Sequence, residues 1–280
     1  MSKDLPLSVD DISEIRAGEE HHKLLFEPNV NGIAPNRLYR SPELQAYVRR
    51  IGMRLAVVSQ RPNLPYEFFV IDDARVDIFG TGGGRVYVTT GFLNFVQSED
   101  ELAAGLAHEI SHIVNLEYAP AKDSKVKKAY DVVLKASEYA DDAVGIYGSG
   151  ARTGLKAVNS VAPKIKKHFS GDQEEQADKH AVYCLARAGY NPAALVVLVG
   201  KLARVDVEKV GLFAEYMKGH PPLPQRRDHM IKEASAAARK YRQPVLQPPP
   251  IPIQIEPQDS QAPASITPPM ESPAPVIPQS

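Results

Sequence analysis

Leu44, Tyr47, Val48, Ile51 and Leu55 recur at three- and four-residue steps along SPELQAYVRRIGMRLAVVS (residues 41–59), which predicts one amphipathic helix with a single apolar stripe. The period then drops to two. YEFFVID (66–72) and GRVYVTT (84–90) predict short strands, and in the second Val86 and Val88 alternate with Arg85, Tyr87 and Thr89. The Gly82-Gly83-Gly84 run turns the chain into that strand, and it does not match the G-x-G-x-x-G spacing of a nucleotide loop. Helical periodicity returns in ELAAGLAHEISHIVN (101–115), where Leu102, Leu106, Ile110 and Ile113 define the buried side. Ser98 with Glu101 reads as a capping box, each side chain taking the other's backbone N–H, so this helix starts near Glu99. In SGDQEEQADKHAVYCLARAGYNP (170–192), Ser170 with Gln173 caps another helix, and Gly189 ahead of Tyr190-Asn191-Pro192 stops it. Between the two, residues 129–169 read as helical with a Gly-rich break at GIYGSGARTG, a candidate flap over a cleft. Its Lys-rich flanks suit a solvated face, or peripheral contact with an anionic membrane surface.

Composition narrows the class. The 280 residues are 43% hydrophobic and 24% charged with a net charge of −1, as expected of a soluble globular protein for which nucleic acid is not a partner. No apolar run reaches the length of a transmembrane helix. The opening MSKDLPLSVDD has neither a basic n-region nor an apolar h-region, so no signal peptide is expected within this sequence: the protein stays inside the cell, or the sequence starts after cleavage. Cys184 is the one cysteine, which excludes a disulfide framework and a Cys-rich zinc site; it reads as a small buried residue of its helix. After residue 243 the chain carries half of its 24 prolines, with Gln and Ser between them. Two regions follow: a folded domain over 1–243, with an N-terminal helical segment within 1–60, and a disordered Pro-rich tail over 244–280 that serves as a tether or binds a partner.

The chemistry sits in HEISH. His108 and His112, four residues apart on a helix, lie about 6 Å apart along the axis and roughly 40° around it, so both imidazoles can converge on one ion. Glu109 projects about 100° away, within reach of a metal-bound water without being a ligand. A third ligand is needed. A metzincin would place Gly and His where Asn115 and Tyr118 stand, which fails. Glu174 and Asp178, four apart on the later helix with small Ala177 between them, do better. Alone they would suit a solvated acidic helix start. Coupled to HExxH, Glu174 completes a His2Glu zinc site, and Asp178 can accept the free ring N–H of a ligand histidine and fix its tautomer. His180 points to another helix face and is not a ligand, while His21, His22, His168 and His229 read as surface residues.

HEISH followed by ExxAD (Glu174 to Asp178) resembles family forty-eight of the zinc metallopeptidases, the gluzincins that include HtpX and the type I CAAX prenyl protease, and within it the soluble periplasmic members. The similarity runs from about residue 12 to 235 and takes in GGRVYVTTGFL (83–93), EDELAAGLAHEISH (99–112) and HPPLPQR (220–226). It implies a zincin-like α+β fold, mostly helical, with a small sheet whose edge strand precedes the HExxH helix. It also implies one zinc per chain, polypeptide substrates and a periplasmic or cell-envelope location. Three positions depart from the family: its Asn-Ala-Phe-Ala segment appears as Asp77-Ile78-Phe79-Gly80, its proline ahead of Gly-Gly is Gly82, and its arginine three residues before the third ligand is Gly171. The Asp77 and Phe79 stretch is the expected substrate-binding strand, and a carboxylate at 77 cannot donate as an amide would.

The mechanism expected is hydrolysis of unfolded or misassembled proteins: zinc lowers the pKa of its water, Glu109 takes the proton and returns it to the leaving amine. The resemblance brings His220 near the metal, as oxyanion donor, as an occupant of the fourth position, or as a plain turn histidine before Pro221-Pro222. Arg226 reads as an ion-pair tie between the last helix and the core. Two other classes stay open, a silent zinc protein acting as chaperone or binding module, which Asp77 favours, and a zinc hydrolase acting on something other than peptide.

Overall fold

The computed structural model describes residues 9–26, 36–115, 117, 169–204 and 224–241. In chain order these hold α1 (Val9–Phe26), α2 (Pro42–Ala56), β1 (Glu67–Ile71), β2 (Ile78–Thr81), a short 3-10 turn at Gly82–Gly84, β3 (Arg85–Thr89), α3 (Thr90–Phe95), α4 (Glu99–Val114), α5 (Gly171–Ala188), α6 (Ala194–Leu202) and α7 (Pro224–Tyr241). The predicted tail over 244–280, the flap over 129–168 and His168 lie outside the described residues, as does His220. Among the described residues no helix is long and apolar enough to cross a membrane.

The α+β class holds, with a three-stranded sheet ordered β1-β3-β2. β1 runs parallel to β3, Phe69 opposite Tyr87, and β2 runs antiparallel to it, Phe79 opposite the same tyrosine. β2 follows only from the family resemblance and not from periodicity: IFGT is too short, and its glycine too weak a strand former, to leave a period-two signal. Val86 and Val88 face the core with Phe68, Val70 and Ile78, against the α2 stripe of Leu44, Val48, Ile51 and Leu55 and the α4 stripe of Leu102, Leu106, Ile110 and Ile113. The other face of β3 was expected to be polar and is buried as well. There Phe69, Tyr87 and Phe79 stack across the three strands at centroid spacings of 5.2 and 5.0 Å, and His22 and Phe26 of α1 pack on Tyr87. His21 and His22 are therefore not surface residues. His21 is buried, and His22 Nδ1 lies 3.1 Å from the Tyr87 hydroxyl.

The two edges of the sheet differ. Beside β1, Leu38 bridges to Ile71, and the Gln45 amide reaches Val70 N and O, at 2.9 Å each. β2 forms the other edge, and the helix it leads toward is α4. α4 opens with half of the predicted box: Ser98 Oγ accepts from Glu101 N at 3.2 Å, but the Glu101 carboxylate takes Gln97 N at 3.0 Å and Lys201 Nζ at 2.7 Å instead. A lysine on α6 and a nearer amide outcompete the Ser98 N–H. α5 starts with the full Ser170–Gln173 capping box and ends at Gly189 in the left-handed region (φ 82°), as its sequence predicts.

Candidate metal centre

α4 and α5 lie side by side, with α7 against α5, and three buried side chains converge between them. His108 Nε2 and His112 Nε2 stand 3.0 Å apart. Glu174 Oε1 is 3.3 Å from His112 Nε2, and Oε2 is 3.5 Å from His108 Nε2. Ligand atoms at about 2.0–2.1 Å around a tetrahedral zinc would be separated by roughly 3.3 Å, so the spacing suits such an ion.

The remaining ring nitrogens are held from behind. His108 Nδ1 lies 3.1 Å from Asp178 Oδ1, which identifies the histidine that Asp178 supports. His112 Nδ1 meets Glu117 Oε2, just beyond the end of α4. With a metal in place, each imidazole would keep its proton on Nδ1, toward the carboxylate behind it, and offer Nε2 to the ion. Sequence reasoning missed Glu117. The available signal was an acidic residue five positions after the second histidine. Phe169, one residue ahead of the α5 cap, stacks on the His112 ring at 3.8 Å and covers it.

Arg226 of α7 grips both carboxylates of α5. Its Nε and Nη2 donate to the two Asp178 oxygens at 2.8 Å each, and Nη1 lies 2.7 Å from Glu174 Oε2. The expected ion pair is present, and it reaches a candidate ligand. Burial opposes charge on Asp178, but hydrogen bonds from His108 and Arg226 outweigh it and hold the carboxyl below its ordinary range. Burial likewise opposes a proton on His108, yet Asp178 and Glu174 raise it to about 10. His112 is raised too, burial again opposing and Glu117 and Glu174 prevailing. Glu109, Glu117, Glu174 and Asp178 are all buried around this point, and such a concentration of negative charge fits a divalent cation held by His108, His112 and Glu174.

Glu109 is fully buried beside the two histidines, and its Oε2 accepts from Gly80 N of β2 at 2.9 Å. Thr89 N donates to Asp77 O, and by the alternation of an antiparallel ladder Ile78 and Gly80 turn their backbone groups away from β3, where Glu109 meets the Gly80 N–H. Asp77 lies at the start of this strand, nearly buried, with its N–H donating to Thr89 Oγ1 at 3.0 Å. The Phe79 ring stacks on Tyr87, on the sheet face away from Glu109, and by the same alternation its backbone groups face β3. His229 is half-buried and paired with Glu175 at 3.3 Å and Glu233 at 3.6 Å, not a bare surface residue. His180 is outside the ligand group.

An HExxH helix, a carboxylate from a second helix and a sheet edge alongside define the metallopeptidase class of site. The comparison with known families agrees: the profile of peptidase family M48 matches residues 42–234, and the chain belongs to that family. Similar proteins include the beta-barrel assembly-enhancing protease of Escherichia coli (strain K12), 25% identical over 221 residues, 78% of this chain and 43% of that one. The mitochondrial metalloendopeptidase OMA1 of Arabidopsis thaliana is 24% identical over 64% of this chain and 34% of its own. Metalloprotease LoiP of Escherichia coli (strain K12) is 27% identical over 61% of this chain and 63% of its own. The chain thus spans less than half the length of the first of these relatives.

Proposed function

We propose that the protein is a zinc-dependent metalloendopeptidase that cleaves unfolded or misassembled polypeptides in the cell envelope. The observation that carries this reading is the convergence of His108, His112 and Glu174 to within 4.8 Å of one another, with Glu109 buried beside them. Zinc, when bound there, supplies Lewis acidity toward a water and a peptide carbonyl. Glu109 is the general base: the Gly80 amide fixes one carboxylate oxygen and so the plane of the group, which takes the water's proton and returns it to the leaving amine. Asp178 and Glu117 orient the two imidazoles from behind, so that each would offer its Nε2 lone pair once the proton there gives way to zinc. A substrate in extended form adds along the open edge of β2, against Asp77 to Gly80, as a further strand. The envelope assignment and the class of substrate rest on resemblance to the beta-barrel assembly-enhancing proteases.

Casein hydrolysis tests this. Activity is expected in the parent, lost with chelator and restored by zinc. Glu109→Gln is expected to bind zinc and fold normally while losing nearly all activity, because an amide cannot accept the proton. Full casein cleavage by Glu109→Gln would remove that residue from the mechanism. His220 is assigned to the oxyanion, so His220→Ala is expected to lower kcat by roughly 10² to 10³ with KM little changed. A rise in kcat would instead mark it as an inhibitory occupant of the fourth position.

A further inference from the structure

The part of the chain that the M48 profile does not reach holds a buried contact with the site. α1 precedes residue 42, where the match begins, yet it lies against the Gly82–Gly84 turn that follows β2. Resting on the peptidase reading above, we propose that Glu14 of α1 is a positioning residue, which holds this turn, and with it the edge strand β2, in place over Glu109.

Four observations carry it. Glu14 is 1% exposed, and a carboxylate so buried persists only where strong partners meet it. Those partners are the Gly83 N–H, 3.2 Å from Oε1, and the Arg61 guanidinium, 2.7 Å from Oε2. Arg61 also donates to Ile113 O at 2.8 Å, one residue beyond His112, so a single carboxylate joins the turn after β2 to the C-terminal end of the ligand helix. The contact between α1 and the turn is backbone against backbone. A Cβ on Gly18 would lie 1.9 Å from Gly82 O, and one on Gly83, itself at φ 78°, would lie 2.5 Å from the Ile15 Cα. Glycine on both sides is what lets the helix come this close.

The physical need for such a clamp is plain. β2 is four residues long, pairs with β3 alone among the described strands, and runs straight into three glycines with no side chains to order them. Its Gly80 N–H nevertheless orients Glu109, and its open edge is where substrate pairs. α1 supplies from outside the rigidity that the Gly-rich turn lacks.

The test uses the full chain loaded with zinc. Glu14→Ala removes the carboxylate. Gly18→Ala favours α1 as a helix while blocking its approach, since alanine is the better helix former. Glu14→Gln keeps an acceptor for Gly83, and Glu20→Ala, at an exposed pair on α1, is the control. Glu14→Ala and Gly18→Ala are expected to retain zinc and helix content, to lower kcat/KM on a casein-derived peptide about tenfold or more, and to speed amide exchange at Gly80 and Gly83 by a similar factor. Glu14→Gln is expected to recover part of both, and Glu20→Ala to match the parent. Parent-like exchange at Gly80 in both disruptive variants overturns the proposal, as does a rise in kcat/KM, which would make α1 an occluding strap. If Gly18→Ala fails to fold, the Glu14 pair carries the same comparison. If the parent itself cleaves nothing, the peptidase reading fails, and exchange at Gly80 still decides whether α1 holds β2.

Discussion

Arg226 places one guanidinium on two carboxylates, Asp178 behind His108 and Glu174 at the candidate ligand position. Holding Glu174 Oε2 leaves Oε1 as the oxygen freer to ligate. Removing Arg226 would leave two buried carboxylates without this partner, a change that typically costs about 3–5 kcal/mol for a buried pair. Arg226→Ala is therefore expected to lower zinc affinity by about 10- to 100-fold in a chelator competition, with a clear fall in melting temperature. Arg226→Lys should recover little, because an ammonium cannot reproduce the planar fork. Glu117→Gln, which keeps a hydrogen-bonding group at His112 Nδ1, is expected to show a smaller loss in the same titration. These contacts also mark how far the residues could be read from the sequence. The two histidines and Glu174 were legible because helix geometry turns spacing into direction. Glu117 lies past the helix end, where spacing no longer fixes direction, and nothing in the sequence says that Arg226 reaches Glu174 as well as Asp178.

Among the elements, α2, α4 and α5 are readable because each carries a single apolar stripe or a cap, whereas α1 has no such stripe and lies on the sheet through His22, Phe26 and the glycine contact, with His21 buried beside them in sequence. That docking makes an acid-sensitive seam. Burial is the larger influence on His21 and lowers it to about 4, against a smaller opposing effect of Glu20. The folded protein thus holds His21 neutral, while the unfolded chain takes up a proton near its ordinary value of about 6.5. Its contribution is full above about pH 6.5 and declines as pH falls toward 4, by up to roughly 3 kcal/mol. His21→Leu is expected to flatten this part of the pH dependence between pH 7 and 4.5 in urea titrations, relative to the parent. An unchanged slope would mean that His21 is reached by solvent before the chain unfolds. β2 left no periodic signal, and only the family resemblance pointed to a strand there: it exists because β3 and Glu109 offer partners to four residues that have little strand preference of their own.

At the scale of the molecule, the family match over residues 42–234 takes in the sheet and the helices that carry the candidate ligands, and α1 precedes it. The break in composition at residue 243 leads to the expectation that the Pro-rich segment is independent of the core. Removing residues 244–280 should leave zinc content, melting temperature and casein cleavage as in the parent; a lower melting temperature would show that the tail packs on the domain. The zinc assignment itself predicts that prolonged dialysis against chelator lowers the melting temperature and that zinc restores it, because an ion that binds the folded state alone stabilises it by mass action. Cys184 bears on how all of this can be watched. It is buried on α5, with Sγ donating to Leu55 O at 3.4 Å, and burial pushes its thiol up to about 12, so thiol reagents at neutral pH will find it unreactive. The chain therefore behaves toward maleimides as though it had no cysteine. A Lys23→Cys substitution, at an exposed position of α1, would take up a fluorophore or spin label at that position alone, giving a spectroscopic reading of whether the helix stays on the sheet when Glu14 or Gly18 is altered.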